Sequence, residues 1–317
     1  MSEMLQAIFS TSFAYSVLRV TTPLLFAALG GLVSDLAGVI NIGLEGMMLA
    51  GAFAGVVVSA FTHSAFLGLV AAVASGVLMA LILGYFSLKL KTDIILAGIA
   101  LNLFASGGTV FLLYLVAHDK GVSTSLASKV LPQVTIPILD KIPVLGPIFS
   151  GHNVLVYVAM IAAVVVWYYL YRTPAGLRLR AVGENPNAAD SVGISVHRVQ
   201  FTALIISGIL SGFGGAHLSM GYVSWFARDM TAGRGFIGLA AEALGGRTPV
   251  GTVLASVFFG IADALSNYLQ SLSIPSEFIQ AVPYALTVIA LAVYARQQTR
   301  KRARLAKLSQ NPEKKAA

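Results

Sequence analysis

The sequence predicts an all-α integral membrane protein, a polytopic bundle of about 8–10 transmembrane helices that includes interrupted half-helices. Of its 317 residues, 57% are hydrophobic and only 11% are charged, whereas soluble domains carry about 25% charged residues. The mean hydropathy is +0.82. Because apolar segments of helical length recur along the whole chain, the membrane is the expected solvent for most of it.

The apolar segments follow one another at short intervals. They cover residues 13–33, 41–61, 65–87, 94–116, 152–171, 199–221, 236–246, 250–271 and 279–295. About 20 apolar residues are needed to cross a bilayer as a helix, so the short segment at 236–246 is predicted to be a half-helix that ends inside the protein. If every segment crosses, the two ends of the chain lie on opposite sides of the membrane.

The positive charges predict the orientation. The net charge of +8 comes mainly from the loop 172–198 and the tail 296–317, with Lys89 and Lys91 adding to it. Short loops rich in Lys and Arg stay in the cytoplasm, so these regions are predicted to be cytoplasmic and the N-terminus to lie outside. This distribution argues for the lipid membrane, and against nucleic acid, as a partner.

Residues 1–295 are predicted to form one transmembrane domain, followed by the basic cytoplasmic tail 296–317. The loop 117–151 then falls on the extracytoplasmic side, and its four prolines predict order through turns. The polar links near Lys89 and Pro275 resemble each other weakly and face opposite sides, which is what an inverted repeat produces.

No catalytic constellation is present in the sequence. The chain has no cysteine, which excludes disulfides and thiolate metal sites. Its five histidines are scattered, and no nucleophile elbow or phosphate-binding loop is found. We therefore expect no catalytic residue, metal or cofactor on this chain, and a transported ligand rather than a reaction.

Polar side chains at membrane depth are the informative ones, because each is costly unless it is paired or faces water. In the glycine-rich segment 35–53, a ligand-lining role and close helix packing are equally compatible with the pattern. In the segment 231–251, Glu242 is expected near mid-depth, where neutralisation by Arg247 or Arg234 competes with substrate contact. The translocation-path candidates are Asn41, Glu45, Asn102, Glu242, Asp263 and Asn267. The outer-gate candidates are Trp225, Phe226 and Arg234.

The loop 172–198 carries clear start and stop signals for a helix. Thr173-Pro174 is expected to open a turn, Asn185-Pro186 to start a short helix, and Gly193 to end it. A short exposed helix with nothing of its own fold to contact is interpreted as a docking element for a partner.

Four blocks of this sequence resemble the permease subunits of bacterial ABC importers of the branched-chain amino acid and simple-sugar permease family, nucleoside-type branch. They are SDLAGVINIGLEGMMLAGAF (34–53), RTPAGLRLRAVGENPNAADSVGIS (172–195), TAGRGFIGLAAEALGGRTPVGTVLASVFFG (231–260) and EFIQAVPYALTVIALA (277–292). Together with the order of the spans, the resemblance covers nearly the whole chain. It departs from the family pattern at Thr248, where an aromatic residue is frequent.

The resemblance implies a multi-pass protein of the bacterial inner membrane and a transport subunit rather than an enzyme. It implies a coupling helix at 183–193 that sits in a groove of a cytoplasmic ATPase subunit, to which ATP and Mg²⁺ bind. It also implies a second permease chain, identical or different, and an extracytoplasmic solute-binding protein. The implied coupling residues are Gly183, Glu184, Asn185, Pro186, Ala188, Ala189 and Gly193.

The substrate that the resemblance implies is a nucleoside, with ribose- or galactose-type sugars and branched-chain amino acids as alternatives. A different class of protein also fits the residues: a secondary transporter coupled to protons or sodium, with Glu45, Glu242 and Asp263 as the titrating groups. Uptake that persists without an ATPase subunit but collapses with the ion gradient distinguishes this class.

Overall fold

The structure, a computed structural model, describes residues 10–269 except 120, 138–139, 141 and 144. Its helices are α1 Thr11–Leu36, α2 Leu44–Thr62, α3 Ala65–Gly84, α4 Ile94–Ala117, α5 Leu145–Phe149, α6 Val154–Arg172, α7 Pro174–Glu184, α8 Pro186–Ser191, α9 Val196–His217, α10 Arg234–Leu244 and α11 Pro249–Leu269. Five-residue π-helical turns, Tyr85–Lys89 and Leu218–Tyr222, extend α3 and α9. The strands are β1 Gln133–Val134 and β2 His152–Asn153.

The prediction of a polytopic all-α membrane bundle is confirmed. Seven described helices are long and apolar enough to cross a membrane: α1, α2, α3, α4, α6, α9 and α11. The segment expected to be a half-helix is α10, which has 11 residues. The predicted span 279–295, the link near Pro275 and the tail 296–317 lie outside the described residues, so the inverted repeat stays a prediction.

The bundle has two ends that differ in character. Helices α7 and α8 form a helical hairpin at one end, which we call the hairpin end. The opposite end, which we call the loop end, carries residues 121–153 and 223–233. Helix α1 runs from the loop end, where the Tyr15 hydroxyl donates to the Gly151 carbonyl at 3.0 Å, to the hairpin end beside Gly183. The chain then crosses back and forth, so that both long loops meet at the loop end.

Helix α1 forms the centre of the bundle, and α4 lies at its surface. In the most apolar stretch of α1, 83% of the residues are buried, against 22% in α4. Large apolar side chains such as Leu103 and Phe104 of α4 are mostly exposed. Since burial of α1 comes from α6, α9, α10 and α11 around it, the exposed outer helices are the ones that face lipid.

The loop end is ordered, as its prolines predict, but by sheet pairing and helix α5 as well as by turns. β1 and β2 pair antiparallel, with Val134 opposite His152. The two long loops also pair with each other, because Phe226 donates its backbone N–H to the Ser123 hydroxyl at 2.9 Å and Ser123 donates its own to the Phe226 carbonyl at 2.9 Å. The loops therefore form one cap over this end of the bundle.

Candidate functional site

The hairpin is built by two helix caps in sequence. The Thr173 hydroxyl accepts from the Gly176 N–H at 3.1 Å, and Pro174 takes the first position of α7, where its missing N–H has no consequence. The expectation of a turn at Thr173-Pro174 was wrong for this reason: the same two residues start an 11-residue helix. The Asn185 side chain then accepts from the Ala188 N–H at 3.1 Å and starts α8.

Helix α8 projects from the hairpin end with little contact to the rest of the chain. Within it, only Ala189 is buried; Pro186 and Ala188 are exposed. Gly193 follows in the left-handed region at φ +82°, as expected for a helix stop. Val192, between the helix and that glycine, leaves 74% of its side chain exposed. The tip of the hairpin therefore presents an apolar side chain that a partner could contact.

The hairpin packs closely against the end of α1 at Gly183. A Cβ added at Gly183 would overlap the Leu36 carbonyl oxygen and lie 3.1 Å from the Gly38 nitrogen. Gly38 itself has φ +76°, so the chain turns there with a backbone that favours glycine. Because both partners in this contact are backbone, neither can rotate away, and α7 cannot come closer to α1 here.

A second link joins the hairpin end to the half-helix. Helix α10 stops at Gly245-Gly246, and Arg247 then pairs with Asp35 at the end of α1 through Nε and Oδ2. Arg247 also donates to the Asp35 carbonyl at 3.2 Å. The hydrogen bond that Arg247 donates to Asp35 raises the pKa of the guanidinium, which therefore stays charged. Asp35, Glu184 and Arg247 line a cavity of about 330 Å³ at the base of the hairpin.

Glu242 lies one turn before this break, in the last part of α10. Its side chain is buried, and its Oε1 atom has no hydrogen-bond partner within the described part of the chain. Neither arginine expected to neutralise it pairs with it directly: Arg247 pairs with Asp35 and Arg234 with Asp263. Both Asp35 and Arg247 lie within electrostatic reach of the Glu242 carboxyl group, so Glu242 belongs to the same cluster.

The start of α10 is held by Glu45 from the first turn of α2. The two carboxylate oxygens accept from the Gly233 and Gly235 N–H groups, each at 2.7 Å. The first N–H groups of a helix have no partner within it, and the helix dipole favours negative charge there. Glu45 thus caps a helix that lies 188 residues away in the chain.

Two asparagines hold the interrupted backbone that leads into α2. Asn102 of α4 accepts from the Gly46 N–H at 2.8 Å and donates to the Ile42 carbonyl at 2.9 Å. Asn41 donates to the Ser207 hydroxyl at 2.8 Å and accepts from the Gly43 N–H at 3.0 Å. The structure therefore brings Asn41, Glu45 and Asn102 together around one break, where they bond backbone and side-chain groups of the protein.

The other candidates lie nearer the loop end. Arg234, the first residue of α10, pairs with Asp263 of α11 at 3.2 Å. Trp225 and Arg234 line one cavity of about 200 Å³, and Asn267 lines another of about 290 Å³. Phe226 lines neither of these, because it is fully buried against Phe53 with ring centroids 5.4 Å apart. Whether any of these residues contacts a ligand stays a prediction.

Over residues 13–291 the chain matches the family described as branched-chain amino acid transport system, permease component. The chain belongs to this permease family. NupC of Lactococcus lactis subsp. cremoris (strain MG1363), named a nucleoside ABC transporter permease, is 36% identical over 92% of each chain. NupQ of Bacillus subtilis (strain 168), named a guanosine ABC transporter permease, is 38% identical over 85% of this chain and 87% of its own.

A solved structure shares the fold. PsaBC from Streptococcus pneumoniae, determined in complex with Fab, aligns with a TM-score of 0.54 at 13% identity, covering 91% of the permease and 94% of that chain.

The family and the two relatives show that the permease is a multi-pass transport subunit of an ABC importer, as the sequence predicts. The family implies ATPase and binding-protein partners.

Sequence reasoning missed three residues of the permease that the geometry makes prominent, Asp35, Val192 and Tyr222, and it did not pair Arg247 with Asp35. Asp35 and Arg247 are separated by 212 positions, so no local pattern pairs them. Nothing in the sequence distinguishes Val192 from other loop residues, and its high exposure is visible only in the structure. Tyr222, which lines both cavities at the loop end, has the sequence signature of a membrane-interface anchor.

Proposed function

We propose that this permease takes up nucleosides, and that a cytoplasmic ATPase subunit drives it by docking on the α7–α8 hairpin. The observation that carries the proposal is the exposed tip of the hairpin, with Val192 at its end, on a hairpin whose Gly183 packs closely against the backbone of α1. The substrate class is supported by the two relatives named for nucleosides and guanosine.

The charges of the described residues support a cytoplasmic hairpin end. The basic residues there are Lys89, Lys91, Arg172, Arg178, Arg180, Arg198 and Arg247. Those at the loop end are fewer, namely Arg19, Lys129, Arg228 and Arg234, even when the sequence adds Lys120 and Lys141 of the loop 117–151. Positively charged loops are retained in the cytoplasm. On this orientation the N-terminus is outside, and the paired loops of the loop end face the extracytoplasmic binding protein.

The proposed mechanism is transmission of a rigid-body movement. ATP binds and is hydrolysed on the partner subunit, and the separation of two ATPase subunits displaces α8. Gly183 passes the displacement to the end of α1, and the Arg247–Asp35 pair passes it to the half-helix α10. A bundle with two such arrangements opens alternately to each side. The full importer holds two permease chains, either two copies of this chain or this chain and a different one.

The first test replaces the exposed apolar tip. Val192→Asp is expected to weaken co-purification of the permease with its ATPase subunit at least tenfold, since a charge placed in a desolvated interface costs about 2 kcal/mol or more. Val130→Asp is the matched control, because Val130 is also exposed, at 48%, but lies at the loop end. Equal ATPase binding by the two variants would rule out docking at α8.

The second test concerns the substrate. The importer, reconstituted in proteoliposomes with its ATPase and binding protein, is expected to accumulate labelled guanosine only when ATP is supplied. Unlabelled nucleosides should compete, and ribose, galactose and leucine should not. Competition by a sugar or by leucine, and not by nucleosides, would show that the permease transports that class of compound instead. Uptake that follows an ion gradient without ATP would indicate a secondary transporter.

A further inference from the structure

Two cavities at the loop end meet at one aromatic side chain. The larger, of about 290 Å³, is lined by Ser16, Arg19, Tyr222 and Asn267 among others. The smaller, of about 200 Å³, is lined by Tyr222, Trp225 and Arg234 among others. Small-molecule sites usually have volumes of about 300–1,000 Å³, so the larger cavity lies at the lower end of that range.

The two cavities share Val20 and Tyr222 in their walls, and Arg19 of the larger cavity stacks on the shared tyrosine ring. The Arg19 guanidinium lies 4.1 Å from the centroid of the Tyr222 ring, and it donates to the Tyr222 carbonyl at 2.6 Å. Tyr222 ends the π-helical turn that extends α9, a distortion found frequently at functional sites. Its side chain is 36% exposed, so the ring belongs to a cavity wall and not to the core.

The walls of the two cavities carry a specific combination of groups. Two aromatic rings, Tyr222 and Trp225, offer flat apolar faces. Ser16 and Asn267 offer hydroxyl and amide groups, and Arg19 is a cation with several donors. A flat, uncharged ring that carries a hydroxylated substituent fits this set, because the ring stacks and the hydroxyls form hydrogen bonds.

Resting on the proposed function, we propose that Tyr222 and Arg19 form an outer gate and substrate site for a purine nucleoside. The base takes the place of the Arg19 guanidinium on the Tyr222 ring, and the released guanidinium swings aside within the larger cavity, which uncovers the face of the ring. Base–aromatic stacking is at least comparable in strength to an exposed cation–π contact, so the exchange is feasible. The ribose hydroxyls then face Ser16, Asn267 and Arg19.

Uptake kinetics test the stacking role. In the complete importer, Tyr222→Leu is expected to raise the KM for guanosine uptake about tenfold, the effect of losing one base–aromatic stack. Tyr222→Phe, which keeps the ring, should stay within about twofold of the unchanged permease. An unchanged KM in Y222L would overturn the proposal. If the unchanged permease shows no ATP-driven nucleoside uptake, it is the proposed function that fails, and the two failures are thereby distinguished.

Labelling at a single cysteine tests the site without altering Tyr222. The chain has no native cysteine, so Ser16→Cys introduces a single thiol, at a position that lines the larger cavity. A membrane-impermeant maleimide added outside is expected to label S16C, and guanosine, but not ribose, should slow the labelling at least fivefold. The protection should vanish in S16C/Y222L.

The control position is Ser125, an exposed serine of the loop end that lines neither cavity. Labelling of S125C should proceed at the same rate with and without guanosine. Guanosine-independent labelling of S16C in an importer that takes up guanosine would contradict the proposed site, as would equal protection of S16C and S125C.

Discussion

Gly183→Val should abolish coupled uptake. The Cβ of any side chain at this position would overlap the Leu36 carbonyl oxygen, and the clash is with backbone that has no alternative rotamer. Overpacking typically costs about 1–3 kcal/mol, and the simplest relief is displacement of α7 away from α1. We expect at least a tenfold fall in guanosine uptake, while the permease still inserts and its ATPase subunits still hydrolyse ATP.

The control for this variant is Ala175→Val on the same helix. Ala175 is exposed, so valine adds its branched side chain without a clash, and only the small difference in helix propensity, about 0.6 kcal/mol, is expected. Uptake and ATP hydrolysis are measured in the same proteoliposomes. G183V that retains the uptake rate of A175V would show that the contact between α7 and α1 does not carry the movement.

Glu45→Gln should destabilise the permease strongly, because it weakens the cap on α10. Glu45 accepts two backbone N–H groups at 2.7 Å with both oxygens, and hydrogen bonds to a charged group contribute about 1.5–3 kcal/mol each. Glutamine keeps one acceptor oxygen and turns a donor toward the second N–H. A loss of about 3 kcal/mol is expected, together with loss of the fixed position of α10.

Asp93→Asn provides a matched comparison. Asp93 caps α4 with one oxygen, Oδ1, which accepts from the Ile95 and Leu96 N–H groups at 2.8 and 3.1 Å, and it is exposed. Asparagine keeps one acceptor oxygen and is as good an N-cap as aspartate, so D93N should leave the stability nearly unchanged. Thermal unfolding in detergent compares the two variants, and an E45Q permease as stable as D93N would contradict the assigned role of Glu45.

Much of the fold could be predicted from the sequence because hydropathy is a local property. The seven spans lie within a few residues of their apolar segments, and Gly245-Gly246 marks the end of the half-helix α10. The short helix α8 could be predicted for a similar reason. Asn185, Pro186 and Gly193 start and end it through local side-chain and backbone geometry, which does not depend on tertiary contacts.

The candidate site could be predicted only in part, since its partners come from distant positions. The sequence singled out Glu45, Asn41 and Asn102 as costly polar groups in a membrane, but it could not show that they bond the backbone of α2 and α10. Asp35 was overlooked because the end of an apolar span is an ordinary place for an aspartate. Only the fold places it against Arg247.

The most direct test of the central idea, that the hairpin receives the force of ATP hydrolysis, is cross-linking at Val192. In the cysteine-free chain, Val192→Cys gives a single reactive thiol at the hairpin tip. A bifunctional thiol reagent is expected to join V192C to a cysteine in the ATPase subunit, and an impermeant maleimide outside intact cells should leave it unlabelled. Labelling of V192C from outside, with no cross-link to the ATPase subunit, would contradict the account.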